Sequence, residues 1–155
     1  MTPQFPDVLK SDLITNDVDI FWTLPQDISN LKPRAVFVAS ASFAKGSAEE
    51  TQLIKMLHAC QLTEEDYNII QFQNDTQLAW HLLRDQLQVK SVILLGVNPQ
   101  QLGVSAHFMP HQLSRFNNCN WILTETLETL LSRTEIKGHL WNYGLKPAFV
   151  DKVYG

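Results

Sequence analysis

The stretch SVILLGV at residues 91–97 indicates the fold more strongly than any other part of this 155-residue sequence. Its apolar residues follow one another without polar alternation, which is typical of a strand covered on both faces, as in a parallel sheet. A second run of this kind, AVFVA at residues 35–39, lies between Pro33 and a cluster of serines. We therefore interpret both runs as strands of a mainly parallel sheet.

The segments around these two runs alternate between helical and strand patterns. Ser47, with Glu50 three residues on, has the pattern of a capping box, and apolar residues at helical spacing follow it. Asp75 is a suitable N-cap for a helix at residues 76–88, whose leucines fall on one face. Further strands are predicted at residues 19–24, 67–72 and 120–124, and further helices at residues 126–132 and 134–143.

The alternation of strands and helices predicts the fold class. It indicates an α/β protein with three layers, α/β/α, around a mainly parallel central sheet. A loop with Pro99, Gly103 and Pro110 interrupts the alternation before the last strand. Residues 1–18 are predicted to be an N-terminal arm, because they are largely polar and contain two prolines. Residues 19–155 are of the size expected for a single α/β domain.

Composition argues against several classes of protein. The net charge is −4, with 12 Lys and Arg against 16 Asp and Glu, which does not favour strong direct binding of nucleic acid, although a local basic patch stays possible. No apolar run approaches the roughly 18 residues of a membrane span, and no secretory signal is visible. Two cysteines are too few for a disulfide scaffold. We therefore expect a cytoplasmic protein that does not contact membranes.

Ligands of parallel sheets bind at the carboxyl ends of the strands, so the candidate site residues are sought there. The segments concerned are residues 40–46, 72–75, 98–103 and 124–126. Their candidate pocket residues are Ser40, Ser42, Phe43, Asn98, Thr124 and Glu125. The loop at residues 40–47 has neither a P-loop nor a nucleophile elbow, and its serines are interpreted as backbone partners. Glu125 is either a general base or a charge that favours the next helix.

Histidines and aromatic residues add two further observations. His107 and His111 precede Cys119 with a spacing that matches no closed zinc pattern, so these histidines are interpreted as loop residues, and neither a metal nor another cofactor is predicted. Four tryptophans are many for this length and are expected mainly in the core. Trp141 and Tyr143, near the predicted end of the last helix, are alternatively anchors of a protein interface.

Apolar residues in the N-terminal arm suggest a second partner-binding segment. Phe5, Val8, Leu9 and Leu13 make the arm more apolar than a spacer requires. They either pack back on the domain or form a short motif that folds onto a partner.

Three stretches of the sequence resemble the psi subunits of bacterial DNA polymerase III. The first is DIFWTLP followed by RAVFVAS, and the second is LIKMLHACQLTEEDYNIIQF. The third runs from the Leu127–Leu130 pair through Lys137 to Leu140 and Trp141, and resembles the C-terminal helix pair of that family. The resemblance spans roughly residues 18–145 and depends largely on the order of the elements.

The psi family is similar in fold to the uracil-DNA glycosylases, and the third stretch resembles them as well. Lys137 and Trp141 fit their Lys-x3-Trp helix, and Phe43 is placed to stand for their base-stacking aromatic residue. The sequence departs from the glycosylase pattern at the positions of the catalytic residues. Residues 124–126 (TET) lack the expected His, and residues 40–42 lack the acidic or Asn residue that positions water. The resemblance therefore implies the scaffold without the catalyst.

These resemblances imply a non-catalytic accessory subunit in DNA replication. A psi-like protein would tether the clamp loader and a chi-like subunit, which in turn links to single-strand-binding protein. In that family the N-terminal arm meets the clamp loader, and the arm at residues 1–18 is assigned that role here, although its sequence does not clearly match the psi arm. Two alternatives remain. One is a glycosylase-like enzyme or nucleobase-binding protein, with Phe43 stacking on the base and Glu125 or a loop serine acting on water. The other is a lineage-specific protein of this fold with an unrelated partner.

Overall fold

The computed structural model describes residues 32–73 and 77–153. The strands are β1 (Val36–Ala41), β2 (Tyr67–Phe72), β3 (Ser91–Leu95), β4 (Leu113–Phe116) and β5 (Cys119–Thr124). The helices are α1 (Ala48–Ala59), α2 (Trp80–Leu87), α3 (Leu127–Ser132) and α4 (Thr134–Leu140), with a 3₁₀ turn at Pro99–Leu102 and a π-helix at Trp141–Val150. The predicted arm, the strand at residues 19–24 and the N-cap Asp75 lie outside the described residues.

The five strands form one sheet in the order β2-β1-β3-β5-β4. Every pair is parallel except β4 with β5, which is antiparallel. The prediction of an α/β protein with a mainly parallel sheet is therefore confirmed. The chain passes to one side of β1 to form β2 and to the other side to form β3, so the strand order reverses at β1.

Two apolar clusters cover the two faces of the sheet. Side chains alternate along β3, so Val92 and Leu94 join the cluster under α2, whereas Ile93 and Leu95 join the cluster under α1, α3, α4 and the π-helix. All five residues of β3 are buried, as expected for a central strand with helices on both sides. No helix in the described residues is long and apolar enough to cross a membrane.

Strand β4 was predicted to be part of a loop, and this prediction is wrong. The strand has only four residues and none of them is fully buried, so no apolar run marks it. A two-residue turn joins it to β5, with Asn117 at φ 52° and Asn118 at φ 60°. Two consecutive left-handed residues are typical of the tight hairpin turn that matches strand twist, and Asn is one of the few residues that tolerate this conformation.

Helix α2 begins at Trp80, four residues later than predicted. The amide of Leu78 donates a 2.9 Å hydrogen bond to the carbonyl of Gln101 in the 3₁₀ turn. The side-chain amide of Gln101 in turn donates to the carbonyl of Gln73. These long-range bonds hold residues 77–79 in a non-helical conformation, which the helical pattern of the leucines could not indicate.

The ends of three other elements also differ from the predictions. The strand predicted at residues 91–97 ends at Leu95, because Gly96 takes a left-handed φ of 75°. The helix predicted at residues 134–143 is α-helical only to Leu140, and the chain continues as a π-helix through Pro147. At α1, Ser47 Oγ accepts from the amide of Glu50 as predicted, but the Glu50 carboxylate accepts from Gly46 rather than from Ser47.

Candidate functional site

The carboxyl ends of β3 and β5 border an open crevice of about 410 Å3, which we call the carboxyl-edge crevice. Gly96 begins it, since the left-handed turn after β3 directs the chain across the edge of the sheet. Its lining comprises Gly96, Val97, Asn98, Pro99, Gln100, Ser105, Ala106, His107, Phe108, Leu123 and Thr124. Its volume lies within the range of small-molecule sites, about 300–1,000 Å3.

Two of the six predicted pocket residues, Asn98 and Thr124, line this crevice. The Asn98 side chain accepts a hydrogen bond from the amide of Gln100, and the Gln101 side chain accepts one from the amide of Asn98. Asn98 thus caps the 3₁₀ turn, which fixes its side chain at the mouth of the crevice. Thr124 is the last residue of β5, and its side chain is buried.

The other four predicted pocket residues lie elsewhere. Ser40 is buried and its hydroxyl donates to the neighbouring carbonyl of Ala41, whereas Ser42 and Glu125 are exposed. Phe43 packs against the cluster under α1, and its amide donates to the side chain of Gln71. None of these residues lines the carboxyl-edge crevice, so the structure does not bring the six together.

The structure adds His111, which sequence reasoning had interpreted as a loop residue. Its Nδ1 atom lies 2.8 Å from Oγ1 of Thr124, and its amide donates a 2.7 Å bond to the carbonyl of Leu123. The residue has a left-handed φ of 63°, which is uncommon outside glycine. These contacts join His111 to residues twelve and thirteen positions further along the chain, so no local pattern could have indicated them.

Other titratable side chains lie near His111. Its ring lies 6.1 Å from that of His139 in α4, and the ring of His139 lies 4.6 Å from that of Tyr143. Burial lowers the pKa of His111, the nearby positive charge of His139 lowers it further, and Glu125 opposes both effects. A neutral imidazole beside the Thr124 hydroxyl is therefore the favoured form at neutral pH.

The lining of the crevice suits a neutral ligand better than a charged one. It contains amide, hydroxyl and imidazole groups but no carboxylate, lysine or arginine. One wall is the ring of Phe108, which stacks on Trp121 with centroids 5.2 Å apart and planes at 13°. Such an arrangement can hold a planar polar molecule by ring contact and hydrogen bonds.

A second surface, the helical groove, lies between α1 and the C-terminal helices. It encloses about 370 Å3 and is lined by Gln52, Lys55, Met56, Ala59, Lys137, Leu140, Trp141 and Leu145. Trp141 is half-buried there, and two lysines are its only charged residues. The groove thus combines an apolar lining with positive charge.

The described residues hold no convergent set of metal ligands. Within residues 32–73 and 77–153, no three His, Cys, Asp or Glu side chains lie close enough to hold an ion. His111 contacts the last residue of β5, whereas Cys119 is its first residue, with a thiol directed to the carbonyl of Val89. His111 and Cys119 therefore lie at opposite ends of β5.

Two comparisons of the sequence with known proteins find no match. A scan against protein-family models finds no match, and a search of curated proteins finds no significantly similar sequence. Functional inference therefore depends on the geometry described above and on the residue patterns in the sequence.

Proposed function

We propose that this chain is a non-catalytic accessory subunit that resembles the psi subunits and tethers proteins of the DNA replication machinery. The proposal assigns it the fold that psi subunits share with uracil-DNA glycosylases. The expected partners are a clamp loader and a chi-like subunit. Support comes from the order of elements from RAVFVAS onward, since these strands and helices occur in the described residues in the order that the resemblance implies, whereas DIFWTLP lies outside the described residues.

One observation carries the proposal. Lys137, Leu140 and Trp141, which form the last part of the resembling sequence, all line the helical groove. A half-buried tryptophan in an apolar groove is the type of anchor that dominates binding energy in protein interfaces. The location of the motif supports a role in partner binding.

Charge in the groove favours an acidic partner surface. Lys55 on α1 and Lys137 on α4 line opposite helical walls, and the lining has no carboxylate. Positive charge at the edge of an apolar site attracts acidic side chains and speeds association. We expect the partner to present an apolar side chain flanked by Asp or Glu.

The test is binding of the purified chain to the purified clamp loader and chi-like subunit of the same cell, measured by calorimetry. Trp141→Ala should weaken binding at least about tenfold, because it removes the central anchor. Tyr143→Ala is the matched control, since Tyr143 is an exposed aromatic residue that contacts His139 outside the groove. Absence of binding by the unaltered chain, or equal effects of the two substitutions, would contradict the proposal.

The carboxyl-edge crevice supports a second candidate, a glycosylase-like enzyme or nucleobase-binding protein. Phe108, Asn98 and Thr124 line the same crevice and offer a ring face, an amide and a hydroxyl. A flipped base is held by stacking and by hydrogen bonds to its edge. Release of uracil from single-stranded DNA, reduced by Asn98→Ala in this crevice, would favour the enzyme. No release of uracil by the unaltered chain would favour the accessory role.

A further inference from the structure

The amino-terminal edge of the sheet holds a cavity that the sequence did not indicate. Val36, Ser91 and Asn120, at the beginnings of β1, β3 and β5, lie side by side in register. Because β4 is antiparallel, its later residues return to this same edge, and Arg115 lies opposite Asn120. The reversed direction of one short strand thus brings Arg115 into the lining of a cavity that Lys90, the residue before β3, also lines.

The cavity encloses about 570 Å3. Its lining combines Lys90, Arg115, Lys152 and the Asn118 amide with apolar side chains that include Leu62 and Phe149. It is larger than the carboxyl-edge crevice and lies at the opposite end of the strands. Its volume suits a ligand of nucleotide size.

Side-chain hydrogen bonds orient the guanidinium group of Arg115. Its Nη1 atom donates a 2.9 Å bond to Oδ1 of Asn120, whose Nδ2 atom donates a 3.3 Å bond to Oγ of Ser91. This chain of bonds crosses β4, β5 and β3. A guanidinium group held in this way loses less conformational entropy when it binds an anion.

Positive charge in the cavity is only partly balanced. Lys90 and Lys152 line the cavity, and among its described lining residues the one carboxylate is that of Asp66, which accepts hydrogen bonds from the amide and hydroxyl of Thr63. Burial raises the pKa of the Cys60 thiol to about 12, so this wall residue adds no negative charge. Within residues 32–73 and 77–153, neither lysine lies within ion-pair distance of a carboxylate. A local excess of positive charge in a chain of net charge −4 favours an anionic ligand.

We propose that this cavity at the amino-terminal edge of the sheet, the amino-edge cavity, binds a phosphate ester of nucleotide size, with the phosphate held by Lys90, Arg115 and Lys152 and the nucleoside against the apolar lining residues. Arg and Lys together are the usual recognition groups for phosphate, and Arg supplies paired donors. The phosphate belongs either to a free nucleotide or to a strand of DNA. The proposal is independent of the accessory role, because the helical groove shares no residue with this cavity.

The test is titration of the full chain with three probes at low salt, followed by calorimetry and by amide shifts in NMR spectra. The probes are inorganic phosphate, thymidine monophosphate and a ten-residue oligothymidylate. We expect the nucleotide to bind more tightly than inorganic phosphate, with shifts at Lys90 and Arg115. Arg115→Gln should reduce affinity about tenfold, and Arg115→Lys should reduce it less, because it keeps the charge but loses the paired donors.

Two exposed lysines provide variants that do not disturb the hydrogen-bonded chain. Lys90→Gln and Lys152→Gln should each weaken binding several-fold, whereas Lys55→Gln, an identical change of charge in the helical groove, should not. Tighter binding of the oligonucleotide than of the nucleotide would identify DNA as the source of the phosphate. No binding of any probe, equal binding of phosphate and nucleotide, or equal effects of Lys90→Gln and Lys55→Gln would overturn the proposal.

Discussion

The 2.8 Å contact between Nδ1 of His111 and Oγ1 of Thr124 joins the loop before β4 to the end of β5. Because Thr124 also lines the carboxyl-edge crevice, the imidazole determines how this hydroxyl is oriented there. In the neutral ring, Nδ1 can accept from the hydroxyl, whereas in the protonated ring it can only donate. The protonation state of His111 is therefore linked both to the contact between this loop and β5 and to the orientation of the Thr124 hydroxyl in the crevice.

Stability should decrease as the pH falls below about 6.5, the ordinary pKa of histidine. Burial lowers the pKa of His111 in the folded protein, so the unfolded chain takes up a proton more readily. The neutral ring therefore contributes to the free energy of unfolding above the pKa of His111 in the unfolded chain. This contribution is lost as the pH falls through the lower pKa of His111 in the folded protein. Urea unfolding at pH 7.5 and at pH 5.5 measures the difference.

His111→Asn is the appropriate variant for that experiment. Asparagine tolerates the left-handed φ of 63° at this position but does not titrate. We expect the variant to lose part of the pH dependence between 5.5 and 7.5. A variant with the same pH dependence as the unaltered chain would show that His111 does not contribute to it.

Gly96→Ala should destabilise the protein by about 2–4 kcal/mol. The residue has a left-handed φ of 75°, and a Cβ atom there would lie 2.5 Å from Cγ2 of Thr126. Thr126 cannot easily move, because its hydroxyl accepts from the amide of Thr129 and caps α3. Denaturant unfolding at constant pH gives the change in free energy.

Gly46→Ala is the matched control for Gly96→Ala. It has a similar left-handed φ of 79°, but no atom lies within 4 Å of a Cβ built there. Its cost should be backbone strain alone, about 1 kcal/mol. Equal losses at the two positions would mean that the contact with Thr126 contributes nothing.

Trp121→Phe should cost at least about 1 kcal/mol more than Trp80→Phe. The two rings pack edge to face, with centroids 4.8 Å apart, and both are buried. Trp121 Nε1 donates a 3.2 Å bond to the carbonyl of Phe116, whereas Trp80 Nε1 has no partner among the described residues. Replacement of Trp80 thus removes an unpaired donor. Thermal or urea unfolding of both variants compares the two losses of stability. A greater loss for Trp80→Phe than for Trp121→Phe would contradict the prediction.

The N-terminal arm offers a prediction that concerns partners rather than stability. Phe5 and Leu9, together with Val8 and Leu13, lie outside the described residues. If the arm binds the clamp loader, the double variant Phe5→Ala, Leu9→Ala should weaken that complex and leave the unfolding free energy unchanged. Equal loss of binding and stability would instead mean that the arm packs on the domain.

Buried strands and helix caps were predictable because the forces behind them are local. Strand β2 has the predicted bounds, and β3 begins at the predicted residue and ends two residues early, at Leu95. The Ser47 cap of α1 was also correct, since its hydroxyl reaches an amide only three residues away. Continuous apolar runs and capping side chains act between residues that are close in the sequence, so the sequence shows them directly.

Elements held by long-range contacts were not predictable in the same way. Strand β4 has no apolar run and exists because it pairs with β5. Helix α2 begins late because the amide of Leu78 binds Gln101, more than twenty residues further along the chain. Of the predicted pocket residues, only Asn98 and Thr124 share a crevice.

The sequence by itself determined the alternation of strands and helices, and hence an α/β protein with a mainly parallel sheet. Only the tertiary structure decided which side chains meet. It placed His111 beside Thr124, and it placed Arg115 and Lys90 in the lining of one cavity. The physical reason is that apolar patterning and capping act between near neighbours. The order and direction of strands depend instead on contacts between residues far apart in the chain.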